Sequence, residues 1–279
     1  MLNDKSITPG GPPADPWSAL RQLTAARIAL GRTGVSEPLQ HSLAFRLAHA
    51  HARDAVYASL NVAGLQEGLS TLFPAVPDLC SQAVTRDQYL QFPDAGRRLS
   101  EASRVQLLSL SGDIVTNNGN LAAFAGKAAH RQRDNPLIAV IIADGLSARA
   151  VNEHAVPLLQ QLRQRLPALS SAACCLVRNG RVAIGDPIGE ALHATLSLVL
   201  IGERPGLSSP DSMGVYITYQ PAIGRTDADR NCVSNIRPGG LPVTDAAGQI
   251  QSLVSEILFR RLSGVSVKAG IHQIGGHAG

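Results

Sequence analysis

The sequence predicts an α/β protein: a mainly parallel sheet flanked by helices, preceded by a helical N-terminal region. Residues 137–145 and 196–203 form apolar runs that end in polar turn residues, which is typical of strands buried on both faces of a parallel sheet. Between them, amphipathic helical segments alternate with a further apolar run at 172–179. Because strands that alternate with helices usually pair in parallel, residues 136–267 are expected to form a Rossmann-like domain.

The composition is typical of a folded protein that acts away from nucleic acids and membranes. Of 279 residues, 44% are hydrophobic but only 4% are aromatic, so the core must consist mainly of aliphatic side chains. The net charge is +4, yet Lys and Arg are scattered, so we predict no nucleic-acid partner. No stretch of about 18 apolar residues is present, so we predict no membrane span. The cysteines form no CxxC pair, which favours a reducing compartment and a cytoplasmic location.

The N-terminal part is expected to begin with a leader and to continue as helices. Residues 1–16 are dense in Pro and Gly and predict a flexible leader, whereas residues 17–135 predict a helical region. Within that region, apolar residues recur at helical spacing over 17–30 and again over 36–60. Ser36 is the expected N-cap of the second of these helices.

The α/β domain and a short tail complete the expected order of elements. After the strand at 137–145, the expected elements are a helix at 146–166, a strand at 172–179, a turn, short strand and helix over 180–194, a strand at 196–203, a half-exposed strand at 213–221 and a long helix at 244–264. Residues 268–279 predict a disordered tail.

Polar, glycine-containing segments follow the three buried strands, at 144–147, 179–182 and 202–206. Ligands of open α/β sheets bind beyond the carboxyl ends of the strands, so these segments form the predicted binding edge. Glu203 directly follows a buried strand. It either accepts hydrogen bonds from a ligand or forms an ion pair with Arg204 or another Arg, and the spacing favours neither interpretation.

The sequence lacks the standard catalytic and metal motifs. There is no GxGxxG after a strand, no GxxxxGK[ST] and no HExxH. In GLSAR, Arg149 replaces the second glycine of a nucleophile elbow, which argues against Ser147 as a hydrolase nucleophile. His49, His51 and Asp54 share one helix, but the two histidines are two residues apart and point to different faces. We therefore predict no metal site.

Cys232 lies in a polar, turn-rich segment, 229–240, which the sequence predicts to be a loop. A reactive thiol and a ligand contact are both open interpretations of this residue. A catalytic thiol needs a nearby base, and the sequence identifies none.

Eight segments of the chain match one known family in the same order. They are ARIALGRTG, FRLAHAHARDAV, YLQFPDAGRRL, IADGLSARAV, VRNGRVAIGDPIGE, LIGERPGLSSPDSMGVYITY, GRTDADRNCVSNIRPGGL and RRLSGV. Through them, the sequence from about residue 25 to 267 resembles the small (light-chain) subunit of ethanolamine ammonia-lyase.

This resemblance implies a heteromeric lyase that converts ethanolamine to acetaldehyde and ammonia by radical chemistry. A large, barrel-like subunit holds the substrate, and adenosylcobalamin lies between it and the cobalamin-cradling α/β domain of the small subunit. Homolysis of the cobalt–carbon bond starts the reaction, so the protein binds and orients the cofactor. The sequence lacks DxHxxG, the signature by which another cobalamin class supplies a histidine to cobalt. The lower ligand is therefore expected to be the cofactor's own base.

The resemblance also implies three cofactor contacts. Val182 contacts the cobalamin through main-chain groups, Glu203 accepts hydrogen bonds from its peripheral amides, and Cys232 packs beside it. No catalytic residue and no metal ligand is expected on this chain. Four further residues are expected nearby: Asp144, Ser147, Arg181 and Arg204.

Two other functions remain open at this point. The chain could be a non-catalytic module that stabilises the large subunit or directs it to a bacterial microcompartment, with the polar leader as a docking tail. A stand-alone α/β hydrolase is the third interpretation, and the broken nucleophile elbow weakens it.

Overall fold

The structure is a computed structural model that describes residues 15–24, 26–32, 34–116 and 136–267. For residues 110–116 it describes the backbone alone. Most of the expected leader, the stretch 117–135 and the expected tail at 268–279 lie outside the described residues.

The long N-terminal helix is confirmed, but its start and the segment before it differ from the prediction. Helix α1 spans Leu39–Tyr57 and follows Pro38, so Ser36 is not its N-cap. The segment 17–30 contains only a short 3-10 helix, Ser18–Gln22. None of the residues of this short helix is buried. Because isolated helices of this length are marginal without packing, the periodic pattern alone does not sustain a longer one.

The rest of the N-terminal part contains three helices, inside the region 17–135 that was expected to be helical, and one strand that the sequence did not predict. The helices are α2 (Val62–Leu69), α3 (Arg86–Gln91) and α4 (Glu101–Thr116). Strand β1 (Asp78–Cys80) has three residues, of which only the central one is buried. Its three residues are too few to show a strand pattern in the sequence. The segment forms a strand because it pairs with the strand Ala173–Arg178.

Six strands form one sheet in the described part of the chain, in the order β1-β3-β2-β4-β5-β6. The further strands are β2 (Ile138–Ala143), β3 (Ala173–Arg178), β4 (Leu196–Gly202), β5 (Met213–Tyr219) and β6 (Arg230–Ile236). Helix α5 (Ala148–Arg165) connects β2 to β3, α6 (Gly185–Ala191) lies between β3 and β4, and α7 (Val243–Arg260) follows β6. The three buried strands predicted from apolar runs are confirmed.

The sheet is mixed, and a Rossmann-like, mainly parallel sheet is not confirmed. Strands β1, β3, β2 and β4 pair in parallel, but β5 is antiparallel to both β4 and β6. A parallel connection requires a crossover of a dozen or more residues, usually with a helix. The connection 203–212 contains no helix, so the chain returns from β4 in the opposite direction.

Two segments have a different secondary structure from the one expected. The short strand expected after residue 180 is a 3-10 helix, Val182–Ile184. The segment around Cys232, expected to be a loop, is the end strand β6. Strands at the edge of a sheet tolerate polar residues because one side has no pairing strand, and β6 has this composition.

The two faces of the sheet carry separate apolar clusters. Helices α2, α5 and α7 cover one face, here called the first face. Helix α6, with the start of α4 and the Val182–Ile184 turn, covers the other, second face over β1–β4. On the second face of β5 and β6 lie the half-buried Tyr216 and the exposed Cys232. None of the helices in the described ranges is long and apolar enough to cross a membrane.

Candidate functional site

The carboxyl ends of β2, β3 and β4 meet at one edge of the sheet. The chain passes from β2 to β3 on one side and then crosses to β4 on the other side of β2. Such a reversal opens a crevice beyond the strand ends, where ligands of α/β sheets bind. The three segments predicted from the sequence lie at this edge.

Main-chain contact joins the ends of β2 and β4. The Leu146 N–H donates to the Gly202 carbonyl at 2.9 Å. A Cβ on Gly202 would lie 2.0 Å from the Ser147 carbonyl oxygen, and a Cβ on Gly145 would lie 2.3 Å from the Gly202 carbonyl oxygen. Glycine is therefore required at both positions for the two loops to touch.

Asp144 joins the end of β2 to the end of β3. Its buried carboxylate accepts hydrogen bonds from the backbone N–H groups of Asn179 at 2.9 Å and Gly180 at 3.2 Å. An Arg86 guanidinium nitrogen lies 3.6 Å away. Burial raises the pKa of Asp144, and these hydrogen bonds and Arg86 partly oppose that rise. Asp144 therefore fixes the turn that leads into Val182.

Val182 begins its 3-10 helix at the same edge and packs against the apolar cluster of the second face. The preceding Arg181 is held from two sides: its N–H donates to the Gly96 carbonyl at 2.7 Å, and its guanidinium lies 4.3 Å from the Tyr89 ring centroid. As the first residue of its helix, Val182 has an N–H with no partner inside that helix.

Glu203 accepts hydrogen bonds and forms no ion pair. Its carboxylate accepts from the Ser212 hydroxyl and, at 3.3 Å, from the Asn235 N–H. Within the described part of the chain, no Lys or Arg nitrogen forms a salt bridge with it, although Arg204 is adjacent in sequence. The ion pair left open by the sequence is thus not present among the described residues, whereas acceptance of hydrogen bonds from a ligand stays a prediction, because both donors belong to the chain itself. A Cβ on Gly214 would lie 2.8 Å from Glu203 Oε1, so Gly214 leaves room for this carboxylate.

Cys232 and Glu203 share a neighbour that the sequence analysis missed, Tyr216. Tyr216 and Cys232 are cross-strand partners on β5 and β6, and their side chains share a hydrogen bond. Burial raises the pKa of Tyr216, and the nearby Cys232 and Glu203 raise it further. The alternation of β5 could have identified Tyr216, because Val215 and Ile217 belong to the first face and leave it on the second.

The structure brings Glu203 and Cys232 together through Tyr216, and this group is called the Glu203 cluster below. Val182 lies at the same edge of the sheet, beside β3. Ser147 is unavailable, because its buried hydroxyl donates to the Pro210 carbonyl at 2.7 Å and its oxygen accepts from the Ala150 N–H. This occupied hydroxyl adds to the argument against a hydrolase nucleophile.

A cavity of about 900 Å³ lies on the outer side of α6, next to the Val182 turn. Helix α4, the segment 97–99 before it and the segment 223–227 contribute its other walls. A buried ion pair lies at its border: Arg230 Nη1 and Nη2 each donate to an Asp186 carboxylate oxygen at 2.7 Å. This pair links α6, which follows Val182, to β6, which carries Cys232.

The Cys232 thiol is expected to react slowly although the residue is exposed. Partial burial against its neighbours raises its pKa to about 11 from an ordinary 9.0; the Tyr216 hydrogen bond lowers it and the Glu203 charge raises it. The thiolate is the nucleophile, so at pH 8 we expect alkylation roughly 100-fold slower than for a free cysteine thiol. Peptide mapping after timed iodoacetamide treatment measures the rate, which should rise tenfold per pH unit up to pH 10. Tyr216→Phe should slow it further, whereas a rate equal to that of free cysteine at pH 8 would contradict the assignment.

The comparisons with known proteins agree on one family. The sequence model of the family described as ethanolamine ammonia-lyase light chain (EutC) matches residues 14–268. The chain is 47% identical over 270 residues to the ethanolamine ammonia-lyase small subunit of Ralstonia nicotianae, covering 96% of this chain and 93% of that protein. It is 49% identical over 256 residues to the protein of the same name from Azotobacter vinelandii, covering 91% and 88%.

A third relative gives the same result. The ethanolamine ammonia-lyase small subunit of Xanthomonas campestris pv. campestris is 48% identical over 264 residues, which cover 94% of this chain and 90% of that protein. The match of the family model includes every described helix and strand, from the 3-10 helix Ser18–Gln22 to α7. The chain therefore belongs to the ethanolamine ammonia-lyase light-chain family.

Proposed function

We propose that this chain is the small subunit of an adenosylcobalamin-dependent ethanolamine ammonia-lyase and that it holds the cofactor against a large subunit. Family membership supports the subunit role, since the relatives are named as small subunits and the name implies a large partner. One observation supports the cofactor role most directly: Glu203 presents a half-buried carboxylate at the binding edge, and no Lys or Arg of the described ranges pairs with it.

The Glu203 cluster has the chemistry that a corrinoid requires. The corrin ring carries peripheral amides, which donate hydrogen bonds, and a carboxylate with unused lone pairs accepts them. Gly214 contributes no side chain, and a Cβ there would approach both Glu203 Oε1 at 2.8 Å and the Tyr216 ring at 3.3 Å. Tyr216 and Cys232 add a partly apolar wall beside this carboxylate.

The other residues of the edge orient the site. Val182 offers main-chain groups at the start of its turn, and Asp144 fixes that turn by accepting the Asn179 and Gly180 N–H groups. When bound, adenosylcobalamin supplies the radical chemistry that turns ethanolamine into acetaldehyde and ammonia. The residues of this chain bind and orient it and exclude water, so the isolated chain is expected to be inactive.

Exposed apolar side chains in the N-terminal part support contact with a large partner. Leu39, Leu43 and Leu47 lie four residues apart on α1, and all three are exposed. Trp17 and Leu23, in the segment before α1, are exposed as well. Exposed apolar stripes of this kind mark protein–protein contacts. The same observation favours the second candidate function, a module that only stabilises or targets the large subunit.

Replacing Glu203 by alanine separates the two functions. The variant loses a hydrogen bond to a charged group, about 1.5–3 kcal/mol, so cobalamin affinity of the assembled complex should fall at least tenfold. Assembly with the co-expressed large subunit should remain intact, because α1 is unchanged. Absorption spectra during cobalamin titration measure the affinity, and size-exclusion chromatography measures assembly.

Glu67→Ala is the matched control, because Glu67 is an exposed carboxylate on α2 and should leave both measurements unchanged. Lost assembly with unchanged affinity would favour the module that only stabilises its partner. A Glu203→Ala complex that binds cobalamin as tightly as the unmodified complex would contradict the proposed cofactor role.

The proposed location of the complex in the cell is supported by the family resemblance alone. We place the complex in the cytoplasm, within a bacterial microcompartment, where the leader would serve as a docking segment. The leader lies mainly outside the described residues, and no helix of the described part could cross a membrane.

A further inference from the structure

A second group of ligating side chains lies on the first face of the sheet. Glu153 and His154 are consecutive residues of α5, and Asp211 belongs to the connection 203–212. One ligand atom of each lies within 4.8 Å of the other two. His154 Nε2 is 3.9 Å from Asp211 Oδ2 and 4.0 Å from Glu153 Oε2. This group is called the His154 cluster below.

The His154 side chain provides an independent reason to expect a ligand. It is only 9% exposed, and its Nε2 is buried without any hydrogen-bond partner among the described residues. Burial of a polar atom without a partner is costly, so such atoms are rare in folded proteins. The unpartnered nitrogen faces two carboxylates, neither close enough to accept a hydrogen bond from it.

We propose that the His154 cluster binds a divalent first-row metal ion such as Zn²⁺. One imidazole and two carboxylates are ligands that Zn²⁺ accepts, at about 2.0–2.2 Å from the metal. Tetrahedral ligand atoms at that distance are roughly 3.3–3.5 Å apart. The separations of 3.9 and 4.0 Å from His154 therefore need to shorten by about half an ångström, and the Glu153–Asp211 separation, which is within 4.8 Å, by up to roughly 1.5 Å. Rotation of the Glu153 and Asp211 side chains supplies this adjustment. A water molecule fills the fourth position.

Arg149 limits the affinity of this site. Its Nε donates to Glu153 Oε1 at 2.8 Å, so Glu153 turns only its other oxygen, Oε2, toward His154. A fixed positive charge beside the cluster repels a second cation. Glu153 is the solvent-facing member of the cluster: its side chain is 42% exposed, and it lines a cavity of about 370 Å³ between α1 and α5.

Metal binding would fasten the connection 203–212 to α5. This connection begins at Glu203 and ends at Ser212, whose hydroxyl donates to Glu203. At present the described connection reaches α5 through the hydrogen bond from the Ser147 hydroxyl to the Pro210 carbonyl. A metal bond through Asp211 adds a stronger link next to it. The site is thus structural, and its existence does not depend on the cofactor role of Glu203.

Zinc titration of the full chain without cobalamin tests this proposal. Isothermal titration calorimetry with Zn²⁺ should give one equivalent per chain at the His154 cluster. His154→Gln and Asp211→Asn should each weaken it at least tenfold. His49→Gln, an exposed histidine on α1, is the matched control and should leave it unchanged. Arg149→Gln removes the competing charge and should tighten binding several-fold.

The thermal midpoint of unfolding provides a second readout. Zn²⁺ should raise it for the unmodified chain and for His49→Gln, because a ligand that binds only the folded state stabilises that state. Without added metal, Asp211→Asn should unfold at the same temperature as the unmodified chain, which shows that it folds. Equal Zn²⁺ affinity in the unmodified, His154→Gln and Asp211→Asn chains, or no binding at all, would overturn the proposal. Neither result would affect the cobalamin test.

Discussion

Replacing Asp186 by asparagine is expected to destabilise the chain by about 3–5 kcal/mol, because it leaves the buried Arg230 guanidinium without its buried counter-ion. Both side chains of this pair are almost fully buried, at 4% and 2% exposure, and two parallel hydrogen bonds of 2.7 Å join them. The Thr218 hydroxyl, at 3.1 Å from Arg230, carries no charge, and the Asp227 carboxylate, at 3.6 Å from Arg230 Nε, is 91% exposed and screened by solvent. Urea unfolding followed by circular dichroism measures the free energy of unfolding.

Two further variants show whether the missing charge is the cause. The double variant Asp186→Leu/Arg230→Met replaces the pair by apolar side chains and should recover most of the loss, since buried pairs exchange well for apolar residues. Glu101→Gln is the matched control: the Glu101–Arg104 pair is exposed, so its loss should leave the free energy of unfolding nearly unchanged. A double variant as unstable as Asp186→Asn would show that packing, not the unpaired charge, explains the loss.

The position of the pair also gives it a role in the candidate site. Asp186 is the second residue of α6, a few residues after Val182, and Arg230 begins β6, two residues before Cys232. The pair therefore fixes the distance between the two proposed cofactor contacts that come from opposite sides of the site. Asp186→Asn should consequently weaken cobalamin binding even under conditions where the variant remains folded.

The elements that the sequence predicts correctly are those that need no partner to be recognised. Strands β2 and β4 are apolar on both faces, and α5 and α7 have apolar stripes, so local patterns suffice for them. Strands β1 and β6 are short or polar and become strands only by pairing with β3 and β5. Strand β5 runs antiparallel to β4 because the connection 203–212 is short and contains no helix. The pattern of apolar residues within β5 carries no information about this direction.

In the candidate site, too, some residues can be identified from local sequence patterns and others only from the pairing of strands. The rule for strand ends identifies Glu203 and the Val182 segment from sequence, because it depends only on where buried strands stop. The neighbours of Glu203 depend on the pairing of β5 with β6, which places Tyr216 opposite Cys232. For the same reason the sequence could not decide whether Glu203 forms an ion pair, and it could not bring Asp211 to His154 across 56 intervening positions of the chain.

Replacing Gly202 by alanine should have the largest effect of any single methyl group added to the candidate site. Its Cβ would lie 2.0 Å from the Ser147 carbonyl oxygen and 2.6 Å from the Asp144 carbonyl oxygen. Both obstacles are main chain at the end of a buried strand, so neither can rotate away as a side chain would. Overpacking in a core typically costs 1–3 kcal/mol, and we expect a loss of at least about 3 kcal/mol here.

Gly248→Ala makes the same chemical change where the structure predicts the opposite sign. Gly248 lies inside α7, and nothing is within 4 Å of a Cβ there, so alanine should stabilise the helix by roughly 0.8–1 kcal/mol. Urea unfolding of both variants measures this contrast. Because Glu203 directly follows Gly202, any shift that relieves the clash also moves its carboxylate, so folded Gly202→Ala should bind cobalamin more weakly while Gly248→Ala binds it normally. A Gly202→Ala chain as stable as Gly248→Ala would contradict the close approach of the two loops, and with it the geometry proposed for the cofactor site.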